Sequence, residues 1–200
     1  MTWYGSKRNL TQMGLEEAKA IYALFRMRKD ASGFVPDENV IRQSVRWDTR
    51  EIRFRTLSRE FNDENPERPF WRITFQYLDD RDSWIWSVRE ARYNDGKFTI
   101  EIAYQPGFPK VEPWVTLTSH DIGEVRHRFL QQRNGQYVIC LHAHNDDPTT
   151  EWNPGQWERG PDGRDVYVRS TAATLGSWTV QWIRSWLRWK WNDGRSWPEP

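Results

Sequence analysis

Two segments alternate apolar and polar residues over a length that admits few folds. In FWRITFQYL (70–78), Trp71, Ile73, Phe75 and Tyr77 fall on one side and Arg72, Thr74 and Gln76 on the other. In KFTIEIAYQ (97–105), Phe98, Ile100, Ile102 and Tyr104 repeat the pattern. Successive strand side chains point to opposite faces, so a period of two specifies strands with one buried and one polar face. That is the signature of an antiparallel sheet covered on one side. EIRFRTL (51–57) alternates as well, WVTLTS (114–119) adds a further strand, and Asn94, Asp95 and Gly96 supply a turn. In SWIWSVREA (83–91), Trp84, Trp86 and Val88 take one face, which predicts a strand there too. The centre of the chain therefore reads as an antiparallel meander.

Helices are predicted at both ends. LEEAKAIYALFRM (15–27) places Leu15, Ala18, Ile21, Tyr22 and Phe25 at helical spacing, with acids at its start. RKDASGFVPDENV (28–40) breaks that helix with Gly33 and Pro36, and FNDENPERP (61–69) is a loop by composition. NDDPTTEWNPGQWERGPDGRD (145–165) reads as irregular, with DVYVRS (165–170) as a hairpin arm. In TLGSWTVQWIRSWLRWKW (174–191), Trp178, Trp182, Trp186 and Trp189 line one helical stripe with Leu175, Ile183 and Leu187, ended by Asn192, Asp193 and Gly194. Such a stripe also suits stacking on sugars or single-stranded nucleic acid, but helical spacing favours a core face against the sheet. The expected fold class is α+β, one domain over 1–200: an N-terminal helix and elaboration (1–69), a meander (70–140), and a loop with the C-terminal helix (141–200).

Only 37% of the residues are hydrophobic, so the core must draw on the 14 tryptophans and the other rings. A formal net charge of +1 gives no general pull toward nucleic acid or anionic membranes, so neither is expected as a partner. A single cysteine excludes an internal disulfide, and MTWYGSKRNLTQ (1–12) lacks the apolar run of a signal peptide. No apolar stretch approaches the ~20 residues needed to span a bilayer. The expectation is a cytoplasmic protein. No cofactor is expected, and there is no Gly-rich nucleotide loop.

That cysteine lies in GQYVICLHAHN (135–145), with His142 and His144 at alternate positions after Cys140 and His120 and His127 shortly upstream. A lone cysteine is more often a small buried hydrophobe than a nucleophile. In an extended chain His142 shares a face with Cys140, where it can donate to an oxyanion or relay a proton; otherwise it is a loop histidine, the reading that prevails for His144. Cys140, His142, His144 and His127 or His120 also form a conceivable zinc set of mixed sulfur and nitrogen ligands. Their C-x-H-x-H spacing matches no common zinc motif, so no metal is expected.

The order helix, antiparallel meander, Pro-rich connection, cysteine motif and downstream Trp-x-Pro resembles the ubiquitin-conjugating enzyme superfamily. YQPGFPKVEPWVTL (104–117) looks like that family's Tyr-Pro to Pro-Pro-Lys-Val segment. Gly135, Ile139, Cys140 and Leu141 stand for its cysteine motif, and Trp152, Asn153 and Pro154 for its Trp-Ser-Pro. HRFLQQRNGQYVICL (127–141) and the tail WTVQWIRSWLRWKWNDGRSWP (178–198) are similar to a bacterial branch. Its members occur in ubiquitin-like conjugation cassettes and cyclic-oligonucleotide-based antiphage defence operons. The likeness covers roughly 71–198.

The resemblance implies that Cys140 is an acyl-accepting nucleophile, assisted by His142. It forms a thioester with the C-terminal glycine of a protein partner, a ubiquitin-like protein or a cyclic-nucleotide synthase, and passes it to an amine. A ubiquitin-activating-like enzyme would supply the activated acyl group. The family's His-Pro-Asn does not occur here, where the segment reads EVRHRFLQQRNGQ (124–136). Asn134 and Gln132 are the available amide donors, and each also reads as a turn residue beside Asn134-Gly135. Trp152 and Pro154 are expected to floor the loop below the cysteine. The missing motif leaves a second reading, a catalytically silent binding module of the same fold.

Overall fold

The alternating segments form one five-stranded antiparallel sheet in a computed structural model, which describes residues 9–42, 51–122, 130–133, 136–139 and 155–194. The chain enters through helices α1 (Leu10–Glu16) and α2 (Ala18–Leu24) and a hairpin of β1 (Met27–Asp30) and β2 (Gly33–Pro36). The sheet follows: β3 (Glu38–Arg42), β4 (Glu51–Asn62), β5 (Phe70–Tyr77), β6 (Lys97–Ala103) and β7 (Trp114–Leu117), neighbours in space as in sequence. A 3-10 turn (Trp84–Ser87) and α3 (Arg89–Tyr93) join β5 to β6. Two hairpins come next, β8 (Leu130–Arg133) with β9 (Gln136–Ile139) and β10 (Gly155–Arg159) with β11 (Asp165–Arg169), and α4 (Ala172–Trp191) closes the order. The architecture is α+β. Among the described residues no helix is long and apolar enough to cross a membrane.

The period of two decides the buried face. Ile52 and Phe54 on β4, Trp71, Ile73, Phe75 and Tyr77 on β5, and Phe98, Ile100 and Ile102 on β6 are all buried in one core. The tryptophan stripe of α4 covers that face: Trp182, Ile183, Trp186 and Leu187 are buried, and Trp178 and Trp189 pack partly against the same cluster. The Tyr77 hydroxyl donates to the Val180 carbonyl at 2.5 Å, and burial raises its pKa well above the usual phenol value. Gly176 lets the helix approach, since a Cβ there would lie 2.7 Å from the Phe25 ring.

A buried carboxylate joins the two ends of the fold. Glu17, 4% exposed, accepts the Tyr104 hydroxyl at 2.5 Å and the Ala172 N–H at 2.8 Å. Ala172 opens α4, where early N–H groups lack helical acceptors and an anion is favoured. Thr171 and Thr174 complete that terminus with a reciprocal capping box.

Three expectations need correction. The helix over 15–27 is two helices divided at Glu17, and Met27 already belongs to β1. Its inward stripe runs Gly14, Glu17, Ile21 and Phe25, leaving Leu15 and Tyr22 about half exposed, because the buried position is held by an acid with partners rather than by an apolar residue. SWIWSVREA is not a strand: Ile85, Val88 and Ala91 are its buried positions, a spacing of three that belongs to the 3-10 turn and α3. Neither breaker segment is structureless. RKDASGFVP holds the β1–β2 hairpin, where Asp30 accepts the Ser32 N–H at 2.8 Å and Gly33 takes a φ of 118°. In the supposedly irregular stretch, β10 pairs with the expected arm β11 around Gly163, whose φ is 77°.

Candidate functional site

Strand β9 delivers the chain to the cysteine. It pairs with β8, with Leu130 opposite Ile139 and Gln132 opposite Tyr137, and it lies alongside β7. Val138 and Ile139 are buried at 4% and 3% exposure, so the backbone immediately before Cys140 is anchored. On the same side Arg68 donates to the Gln136 Oε1 at 2.8 Å, while its guanidinium lies 4.8 Å from the centre of the Trp114 ring. Cys140, His142, His144, His127, Asn134, Trp152 and Pro154 lie outside the described residues. Gln132 falls within β8, two pairs from the Leu130–Ile139 pair at the strand end that leads to the cysteine. Of the sequence candidates, the structure thus positions the strand before Cys140 and the backbone of Gln132.

His120 is held by both ring nitrogens. Nδ1 lies 2.7 Å from the Ser119 Oγ, and Nε2 lies 3.0 Å from the Glu90 carbonyl oxygen. The Ser119 Oγ also accepts the Thr99 N–H at 2.9 Å. The carbonyl requires a proton on Nε2, so Nδ1 of the neutral ring accepts the Ser119 hydroxyl. The ring stacks on Phe98 with centroids 4.6 Å apart. With both nitrogens engaged, His120 is not placed as a zinc ligand, and no group of three or more His, Cys, Asp or Glu suited to a metal occurs among the described residues.

Desolvation lowers the His120 pKa below its ordinary value of 6.5, against an opposing pull from the Glu90 carbonyl and carboxylate. A depressed histidine pKa means that the folded state prefers the neutral ring. Its contribution is complete above the unfolded pKa and is lost as pH falls from about 6.5 through the lower folded value. Urea unfolding as a function of pH should show wild-type stability declining over this window. A His120→Gln variant should decline less steeply there; identical slopes would show that the ring does not titrate on folding.

A second polar site escaped sequence reasoning. Arg184 of α4 has a side chain only 5% exposed, and its Nη1 lies 2.8 Å from both carboxylate oxygens of Asp79, itself 12% exposed. The guanidinium carbon of Arg184 lies 5.4 Å from the Trp84 ring centre and that of Arg188 lies 5.7 Å from it, and Trp191 packs against Trp84 at 5.7 Å. Asp79 follows β5, and Trp86 Nε1 donates to its carbonyl at 3.0 Å. The pair faces a polar cleft of about 620 Å³, also lined by Glu51, Arg53, Asp80 and Asp82. The acidic run LDDRD (78–82) after an alternating strand was the available signal. Nothing in the helical stripe set Arg184 apart from Arg188 and Lys190 on the same helix, which are only partly buried. No protein-family model, curated protein or solved structure matches this chain.

Proposed function

We propose that the chain is a cysteine-dependent acyl carrier of the ubiquitin-conjugating type, working in bacterial antiphage defence. The observation that carries this reading is the placement of β9. An antiparallel meander, preceded by helices and covered by a C-terminal helix, is followed by a short strand lying beside its last member, and that strand ends at the chain's single cysteine.

The Cys140 thiolate attacks the C-terminal carbonyl of a partner protein, activated by an ATP-using enzyme as an adenylate or a thioester, and expels AMP or the enzyme's thiolate. The partner is a ubiquitin-like protein or a cyclic-nucleotide synthase. An amine then attacks the new thioester, the Cys140 thiolate leaves, and the amine proton passes to a base, the role given to His142. Thiolates serve both halves because they attack activated carbonyls and leave readily. An oxyanion donor at His142, Asn134 or Gln132 would be worth ~3 kcal/mol in barrier height.

The test combines the protein with a ubiquitin-activating-like enzyme and a candidate partner, either a ubiquitin-like protein or a cyclic-nucleotide synthase. Wild type should give an adduct on a non-reducing gel that thiols remove. Cys140→Ser should give a thiol-resistant oxyester or none, and Cys140→Ala none. A Cys140→Ala chain that protects cells against phage as well as wild type would replace the carrier by a binding-only module.

A further inference from the structure

We infer that the bare edge of the sheet, strand β3, pairs antiparallel with β3 of a second copy of this chain about a two-fold axis at Val40. The inference is independent of the cysteine. The sheet has two edges, β3 and β7, and β9 lies alongside β7. Among the described strands β3 pairs with β4 alone. The direction of its free groups follows from that neighbour. Leu78 N–H donates to the Arg53 carbonyl at 2.9 Å, so Arg53 turns its carbonyl to the side of β4 away from β3. Val40 is the residue opposite Arg53, and in an antiparallel ladder that makes the two a non-hydrogen-bonded pair. The Val40 N–H and C=O therefore face the open edge, where neither has a backbone partner among the described residues. Unguarded edges of this kind recruit further strands. Here the strand holds no lysine or proline, and its central Val40 is 48% exposed.

The side chains choose the occupant. Glu38, Val40 and Arg42 share the exposed face of β3, while Asn39 and Ile41 are buried. A two-fold axis at Val40 sets Val40 against its own copy, and Glu38 of each chain against Arg42 of the other. Shifting the register by one residue would set exposed positions against buried ones, and shifting it by two would set Val40 against a charge. Within one chain Arg53 Nε donates to Oε1 of Glu38, and Arg42 reaches Glu51 at a loose 3.8 Å. Glu38 Oε2 and most of the Arg42 guanidinium therefore remain to meet across the axis. The joined row reads Arg53, Glu38, Arg42, Glu51, the last two from the second copy, with the sign of charge alternating throughout. A foreign strand would need the reverse order of charges, which β3 itself presents when turned about. Such self-complementarity is what a two-fold interface requires.

Sedimentation velocity of the full chain from about 1 µM to about 1 mM should show a reversible dimer that grows with concentration, the behaviour of a small interface. Glu38→Arg sets like charges opposite each other at both ends of the junction, and so does Arg42→Glu. Each variant should dimerise about tenfold more weakly than wild type. Mixed in equal amounts, the two should recover a dimer, because each then carries the charges that the other needs. That recovery could not come from misfolded chains. Val40→Lys should abolish the dimer by setting two ammonium groups together on the axis. A monomer throughout, single variants that dimerise as wild type does, an equal mixture no stronger than its components, or a Val40→Lys dimer of wild-type strength would each overturn the assignment.

Discussion

Replacing Asp79 by alanine should destabilise the fold by about 3–5 kcal/mol, the range for stripping one partner from a buried ion pair. Arg184 has no other anionic hydrogen-bond partner among the described residues, and its side chain is 5% exposed, so water cannot fully replace the lost carboxylate. The guanidinium would be left against Trp84 with its charge uncompensated. The same logic predicts that Asp79→Ala/Arg184→Met recovers most of the loss, because removing both charges removes the desolvation penalty with them. Urea melts of the wild type and of these two variants give the comparison. A single variant within 1 kcal/mol of wild type would show that water reaches the pair.

Trp186→Ala should lose a similar amount, about 3–5 kcal/mol, by leaving a ring-sized void where the side chain is fully buried. The indole sits in the core cluster with Lys190 Nζ 5.6 Å from its ring centre. Trp191 provides the internal contrast. It lies on the same helix but is 46% exposed, so Trp191→Ala should lose only a fraction as much. Equal effects at the two positions would contradict the burial pattern of α4.

These positions also show what was legible in the sequence. Trp71 to Tyr77 and Phe98 to Ile102 declared their buried face because strand periodicity has only two phases, and each segment was long enough to fix one. Trp182 and Trp186 were legible for the same reason at helical period. SWIWSVREA was not, because Trp84, Ile85 and Trp86 are consecutive and apolar, so their order supports a period of two or three equally. The β1–β2 hairpin was hidden in residues read as breakers, although Asp30, Ser32 and Gly33 are the turn chemistry a tight hairpin uses. Among the candidate site residues, Cys140 stood out by being the single cysteine, whereas Asp79 and Arg184 gain their meaning from a contact 105 positions apart. No local pattern encodes that contact.

Glu17 adds a consequence for the birth of the molecule. Its carboxylate needs the hydroxyl of Tyr104 and the amide of Ala172, the latter 155 residues further along the chain. A ribosome adding ~5–20 residues per second takes roughly 8–30 s to cover that interval. Throughout it the nascent chain carries an acidic group with its amide partner still unmade, and α2 waits without the helix it packs against. Helix α4 therefore supplies a contact that α2 cannot complete when it is made, and a chain released before Ala172 lacks the amide that Glu17 accepts.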